Sequence, residues 1–212
     1  MFIDMTASDF DWRAAYRYIV GCVNPRPIAL VSTINARGQR NLAPFSFFNM
    51  VSANPPVLMF AASLNRRGEP KHTHVNIAAT RDFVVAIVDA PIAGKMVRSA
   101  AELPYGESEF EFSGLSPGPA RHVAAGLVAE APVNIECRLR QIVSMGDGSG
   151  AGQVIFGDVL AVHIRDALLT PDGEHVDPHK LKSVGRLGGA WYCTVVDPYE
   201  LQIPAVEPRR SP

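Results

Sequence analysis

Between Ser63 and Asn76 the chain reads SLNRRGEPKHTHVN, and this run of cations and hydroxyls is its most specific chemical signal. A phosphate monoester carries about −1.5 to −2 charges at pH 7 and accepts hydrogen bonds on three oxygens. The chain as a whole offers no field to hold such a group, because 20 Lys and Arg oppose 21 Asp and Glu for a net charge of −1. An anion must be gripped locally, and Arg66, Arg67, Lys71 and Thr73 supply the grip. Pro70 suits a first helical turn, which puts Lys71 and Thr73 beside unpaired backbone N–H groups and the positive end of a helix dipole. The competing reading is an ordinary solvated basic face.

Upstream, Asn41, Leu42, Ala43, Pro44, Phe45 and Ser46 make a strand-and-turn sequence with several small side chains. Such a segment lets a flat ring approach and offers edge-on backbone donors and acceptors. Ser32 and Thr33 fall on the preceding strand, while Phe47 and Phe48 read as core or subunit-contact aromatics. The common catalytic signatures are missing: no phosphate loop, no H-E-x-x-H, no G-x-S-x-G elbow and no G-x-G-x-x-G opening a helix. Gly146, Gly148, Gly150 and Gly152 recur at every second position, which suits a mobile hairpin connection. His72 with His74, and His175 with His179, approach metal-ligand spacing, but Pro178 interrupts the second pair and no carboxylate or cysteine cluster completes either. His163 reads as a satisfied strand histidine or a proton shuttle rather than a ligand.

The three cysteines, Cys22, Cys137 and Cys193, are too far apart and too few for a disulfide framework, which fits a reducing, cytoplasmic location. No basic n-region precedes an apolar segment at the start, and no apolar run approaches the roughly 20 residues of a membrane span. The balanced charge argues against nucleic acid and membrane as partners. With 47% hydrophobic residues the chain can bury a sizeable core, expected as one domain over 1–203 followed by a flexible tail over 204–212.

Positioning the candidate residues requires particular elements. Ser8 or Asp9 is expected to cap a helix carrying Trp12, Tyr16, Ile19 and Val20, stopped by Pro25. Residues 28–34 form a strand whose hairpin partner begins at Asn41 and ends at Pro44, and residues 57–62 and 83–88 are buried strands. Between these lies a helix from Pro70 with Val75, Ile77 and Ala78 inward; a second runs from Pro91 to about Leu103 with Met96, Val97 and Ala100 inward. Residues 134–140 alternate, placing Glu136, Arg138 and Arg140 toward water, and strands over 154–164 and 191–196 complete the pattern. Hairpins with few helices predict a mainly β fold, an antiparallel barrel with peripheral α-helices.

Three ordered segments, PRPIALVST from Pro25, NLAPFSFFNMVSANPP from Asn41 and SLNRRGEPKHTHVNI from Ser63, resemble the flavin reductase-like family. ECRL at 136–139, GDVL at 157–160 and RLGGAWY at 186–192 extend the resemblance over most of the chain. It implies an FMN-binding split β-barrel of flavoredoxin-like type, working as a homodimer. By the same resemblance NADH or NADPH donates hydride, and free flavin, a partner oxygenase, another electron carrier or ferric iron accepts the electrons; the alternative is an FMN carrier with little nicotinamide oxidation of its own. A related barrel acting on phosphorylated pyridoxine vitamers is a further reading of the phosphate cluster. The resemblance assigns Ser63, Lys71, Thr73 and Asn76 to the phosphate, with Arg66 or Arg67 assisting, and Asn41 to Ser46 to the ring and ribityl chain. It also places Arg186, Leu187, Gly188 and Gly189 in a segment that closes over the flavin, against the alternative of a simple glycine turn; a cation at Arg186 near the pyrimidine side of the ring would stabilise the anionic reduced form. The chain departs from the family in having Gln153 where a histidine often stands near the nicotinamide; direct hydride transfer needs no general acid or base, so only an orienting group is lost.

Overall fold

A computed structural model of the chain describes residues 2–7 and 10–204. After helix α1 (Trp12–Cys22) come β1 (Arg26–Pro27), β2 (Ala29–Ile34), β3 (Arg40–Phe45), β4 (Phe48–Ala53) and β5 (Pro56–Ser63), then helix α2 (His72–Thr80). Strand β6 (Asp82–Ile87), helices α3 (Ala90–Arg98) and α4 (Glu109–Ser113), and the short β7 (Pro117–Gly118) and β8 (Leu127–Val128) follow. The long hairpin of β9 (Val133–Ser144) and β10 (Gly152–Ile164) leads to α5 (Pro178–Leu181), β11 (Val184–Arg186) and β12 (Tyr192–Thr194).

Seven strands form one antiparallel sheet in the order β3-β2-β6-β9-β10-β5-β4; β1, β11 and β12 form a second. The mainly β architecture with peripheral helices is the predicted one. The predicted barrel is met only in part: β3 approaches β5, but no ladder joins the two edges β3 and β4. Ser46 and Phe47 carry the chain from one edge to the other, and the Phe47 carbonyl accepts from Ala61 N (2.9 Å).

Strand β2 is buried along almost its whole length, as a continuous apolar run requires. Its residues alternate between two cores: Ala29 and Val31 join Phe45, Phe60, Phe83 and Ile155 in one, while Leu30 joins Leu42, Met96 and Phe110 in the other. Phe60 packs against Phe45 (4.9 Å between centroids) and edge-on to Phe83 (5.8 Å). Gly157 lies under Phe83, where any Cβ would overlap the ring, and the β9–β10 register shifts at this point.

Several expectations are corrected. Pro44 lies inside β3 opposite Leu30 rather than ending it, because β3 is an edge strand and can spare an outward N–H. The inward face of α2 is Thr73, Asn76 and Ile77, with Val75 and Ala78 outside, since the two polar side chains find buried partners. Helix α3 stops at Arg98 and buries Ile92 and Met96; Val97 and Ala100 are exposed. Glu136 does not meet water but is fully buried under the backbone of Arg121, His122 and Val123. The glycine-rich connection joins β9 to β10 as expected, and at its end Gly150 N donates to Leu64 O (3.1 Å) and Leu64 N to Ala151 O (2.9 Å). Helix α1 is capped by Asp11, whose carboxylate accepts from Arg13 N (2.9 Å); Ser8 and Asp9 lie outside the described residues, as does the tail from 205 onward. The last strand is shorter than expected. Among the described residues no helix is long and apolar enough to cross a membrane.

Candidate functional site

A cleft of about 620 Å³ opens where β3, the Ser46–Phe47 corner, the end of β5, the start of α2 and the loop over 99–105 converge. Helix α2 aims its first turn into it. Lys71 occupies the N-cap position in an extended conformation, and no side chain caps the turn. The first backbone N–H groups of a helix have no partner within it, so an uncapped start favours an anion. Nearby, Asn41 Nδ2 donates to Thr73 Oγ1 (3.0 Å), Asn76 Nδ2 to Thr33 Oγ1 (3.0 Å), and the Tyr105 hydroxyl to Asn76 Oδ1 (2.9 Å). These three bonds hold the helix start against β2, β3 and the 99–105 loop.

The free edge of β3 offers fewer donors than its sequence implies. Leu42 N–H points away from β2 and is taken by the Glu109 carboxylate (2.9 Å), while Pro44 has none to give. Open backbone donors must come from the Ser46 corner onward. Glu109 is 4% exposed, and burial raises its pKa despite the bond from Leu42 N and one from its own N–H. A carboxyl whose folded pKa lies above its unfolded value destabilises the fold as pH rises from the one to the other. E109Q keeps an oxygen for Leu42 N–H, so it is expected to be more stable than the wild type at neutral pH, with the gain vanishing below the ordinary 4.5. E109A loses the acceptor and is expected to cost about 1–3 kcal/mol below the ordinary 4.5, and less at neutral pH, where the wild type carries a buried carboxylate; urea midpoints across pH check both.

The cations at the mouth are lightly held. Lys71 Nζ is 3.9 Å from Glu102, and Arg67 Nε is 2.9 Å from Glu69, both in the open where such pairs are weak. Such a pair offers little resistance to an anion approaching Lys71. His72 stands edge-on to Tyr105 (5.0 Å), its pKa pushed down by burial and by Lys71. Beyond Ser46, Tyr16 and Phe47 meet edge to face at 6.5 Å and line the cleft with Ala61.

Of the residues singled out by sequence, Asn41, Ala43, Pro44, Phe45, Ser46, Ser63, Arg67, Lys71 and Thr73 line this one cleft. Ser32, Thr33, Leu42 and Asn76 are buried and are not among its lining residues; Ser32 Oγ has no partner. Arg66 is exposed outside the cleft. Arg186 also lies elsewhere: its guanidinium stands 4.5 Å over the Tyr192 ring and donates to the Tyr192 hydroxyl and to Gly189 O (2.5 Å). Gln153 spends its amide on Ser144 Oγ (3.0 Å) and Gly146 O (3.1 Å).

Sequence reasoning missed Tyr105, Glu102 and Glu109. The EFEF run at 109–112 alternates like a strand, and only the packing of α4 on β3 brings Glu109 to the cleft. It also missed that Asp172 and Glu174 gather beside His175; this exposed trio stands apart from the cleft.

The model for the flavin reductase like domain matches residues 20–178. Among solved structures, nitrilotriacetate monooxygenase component B from Bacillus cereus is similar with a TM-score of 0.87 at 30% identity, over 95% of this chain and 99% of that one. The 2-nitrobenzoate 2-nitroreductase of Pseudomonas fluorescens is similar with a TM-score of 0.85 at 33% identity, over 98% of each chain. A split-barrel domain protein from Shewanella frigidimarina reaches 0.81 at 22% identity, over 97% of this chain and 99% of that one, a likeness of fold alone.

Proposed function

Since the chain belongs to the flavin reductase like family, we propose that it is an oxidoreductase that holds FMN in the cleft and passes electrons from NADH or NADPH to an acceptor, either free flavin or a partner oxygenase. The observation that carries this reading is the uncapped start of α2 opening, beside Lys71, into a cleft roomy enough for a ring system. The residues fit the group. Lys71, Thr73, Ser63 and the first N–H groups of α2 would bind the phosphate, with Arg67 adding charge. Asn41 to Ser46 would carry the ribityl chain and ring, while Asn76 and Thr33 fix the helix start from beneath.

Bound flavin supplies two-electron chemistry, taking hydride from a nicotinamide and giving it up to an acceptor. The chain's own part is to bind and to exclude water. Pro44, Phe45, Phe47 and Tyr16 present apolar walls, and Glu109 blocks the β3 edge from competing partners. The exposed stripe of Trp12, Tyr16 and Ile19, continued by Phe47, Met50 and Val51, is apolar surface that a second copy would cover, which supports a homodimer. The name of the Bacillus cereus neighbour, a monooxygenase component, supports a partner oxygenase.

One observation favours the second reading, an FMN electron carrier with little nicotinamide oxidation: at the position where the resemblance expects an orienting histidine, the Gln153 amide is committed to its own hairpin. Visible spectra, an FMN titration and anaerobic mixing with NADH and NADPH distinguish the cases. Saturable binding with bleaching by a nicotinamide is the expected result. Binding without bleaching makes the protein a carrier, and no binding overturns both.

A further inference from the structure

We propose that Arg26 is the cation that sets the redox poise of the flavin site, a positioning residue acting through Ser46; this rests on the flavin reading above. Arg26 follows the cis Asn24–Pro25 bond and is 7% exposed. Its Nη1 donates to Val20 O (2.5 Å) and Val23 O (2.7 Å), its Nη2 to Leu187 O (3.0 Å), and its Nε reaches toward Ser46 Oγ at 3.5 Å. The guanidinium carbon lies 6.0 Å from the Phe47 ring centroid. Ser46 and Phe47 both line the cleft, so the guanidinium stands directly behind its wall.

Among the described residues no carboxylate pairs with this guanidinium. Its partners are carbonyl dipoles at the closing end of α1 and on the chain leaving β11. Burial draws its pKa below that of a free guanidinium, with Tyr16 opposing the effect and Arg186 adding to it; an arginine stays charged under such pressure. A dehydrated cation without a counter-ion is costly and gains most when a negative charge arrives nearby. The neutral flavin ring acquires that charge in the proposed reaction: a hydride brings two electrons and one proton, the donor leaves as NAD(P)⁺, and the ring ends one charge more negative.

A fixed cation binds the reduced form more tightly than the oxidised one. By linkage, the ratio of the two dissociation constants is the shift in potential, and a tenfold ratio equals about 30 mV for two electrons. Lys71 is exposed and screened by salt; Arg26 is buried and screened little. The role expected of Arg186 falls to Arg26, because the Arg186 guanidinium is turned onto Tyr192 while the Nε edge of Arg26 reaches Ser46 at the cleft corner.

The test is an anaerobic spectroelectrochemical titration of FMN bound to the full chain, with dissociation constants for oxidised and reduced FMN, in the wild type, R26K, R26Q, S46A and R186Q. The wild type is expected to hold FMN at a potential above that of free FMN and insensitive to salt. R26Q is expected to lose about tenfold of the affinity ratio, or about 30 mV, R26K and S46A less, and R186Q least. A wild-type potential at or below that of free FMN, one that drifts toward it with salt, or a larger shift in R186Q than in R26Q overturns the proposal. Should R26Q fail to fold, the wild-type salt series and S46A decide, and an unshifted S46A overturns the relay through Ser46. Absence of FMN binding appears in the affinity measurement before any potential is read, and overturns the proposed function together with this inference.

Discussion

Replacing Lys71 with glutamine is expected to weaken FMN binding by about 10- to 100-fold while leaving riboflavin binding within about twofold. The two ligands differ by the phosphate alone, so their comparison isolates what Lys71 and the α2 start contribute. Lys71 is the N-cap residue, its backbone already extended and its carbonyl already accepting from Val75 N (3.1 Å), so the substitution leaves the helix intact. A shorter neutral amide replaces the ammonium, so the charge is what is lost. Its present partner, Glu102, is exposed and 3.9 Å away, a contact that a doubly charged phosphate outcompetes. Because the ammonium is half-exposed, its contribution shrinks with salt, and the wild-type advantage is expected to be largest at low ionic strength. Fluorescence-quenching titrations with FMN and riboflavin at low and high salt check the result. Equal losses for both ligands would mean that the substitution had damaged the cleft, and no loss for FMN would place the phosphate elsewhere.

Replacing Glu136 with alanine is expected to destabilise the fold by about 3–5 kcal/mol, the range for removing one member of a buried charged network. The Glu136 carboxylate is fully buried on β9 and accepts from Arg121 N (2.9 Å), His122 N (2.6 Å) and Val123 N (3.1 Å), with His163 Nε2 at 2.6 Å. Alanine leaves those backbone N–H groups without an acceptor, and the segment that covers this face of the sheet loses its anchor. Burial alone would raise the Glu136 pKa, but the bonds from Arg121, His163 and His122 outweigh it and hold the carboxyl below its ordinary value. With the folded pKa below the unfolded one, the stabilisation is complete above the ordinary 4.5 and is lost as pH falls through the lower folded value. Denaturant midpoints of wild type and E136A are expected to differ most at neutral pH and to converge in acid. A constant difference across that range would sink the electrostatic account.

Much of the fold was legible because its signals are local. The apolar run in β2, the alternation in β9 and the proline ahead of α2 each act over a few residues, and all three elements form close to where they are predicted. The placement of Lys71 and Thr73 at one helix start was legible for the same reason, since two residues apart they share one turn. The ordered motifs from Pro25 to Ile77 likewise sufficed to indicate the family that the domain match establishes.

Burial of polar groups was not legible, because it depends on which distant segment supplies a hydrogen-bond partner. Leu42 meets Glu109 across 67 positions, Asn76 meets Tyr105 across 29, and Arg26 meets Leu187 across 161. Nothing near Glu136 marks it as buried until residues 121–123 fold over it, and nothing in β3 and β4 says that consecutive strands will stand at opposite edges of an open ladder. The residues alone thus determined most of the long strands, the starts of α2 and α3, and the gathering of Lys71 and Thr73 at one helix start, where hydrophobic period and proline position decide. Only the tertiary structure decided which carboxylates and hydroxyls stand around that helix start and which guanidinium lies behind the Ser46 corner, because a buried polar group is tolerated only where long-range packing brings its partners within hydrogen-bond reach.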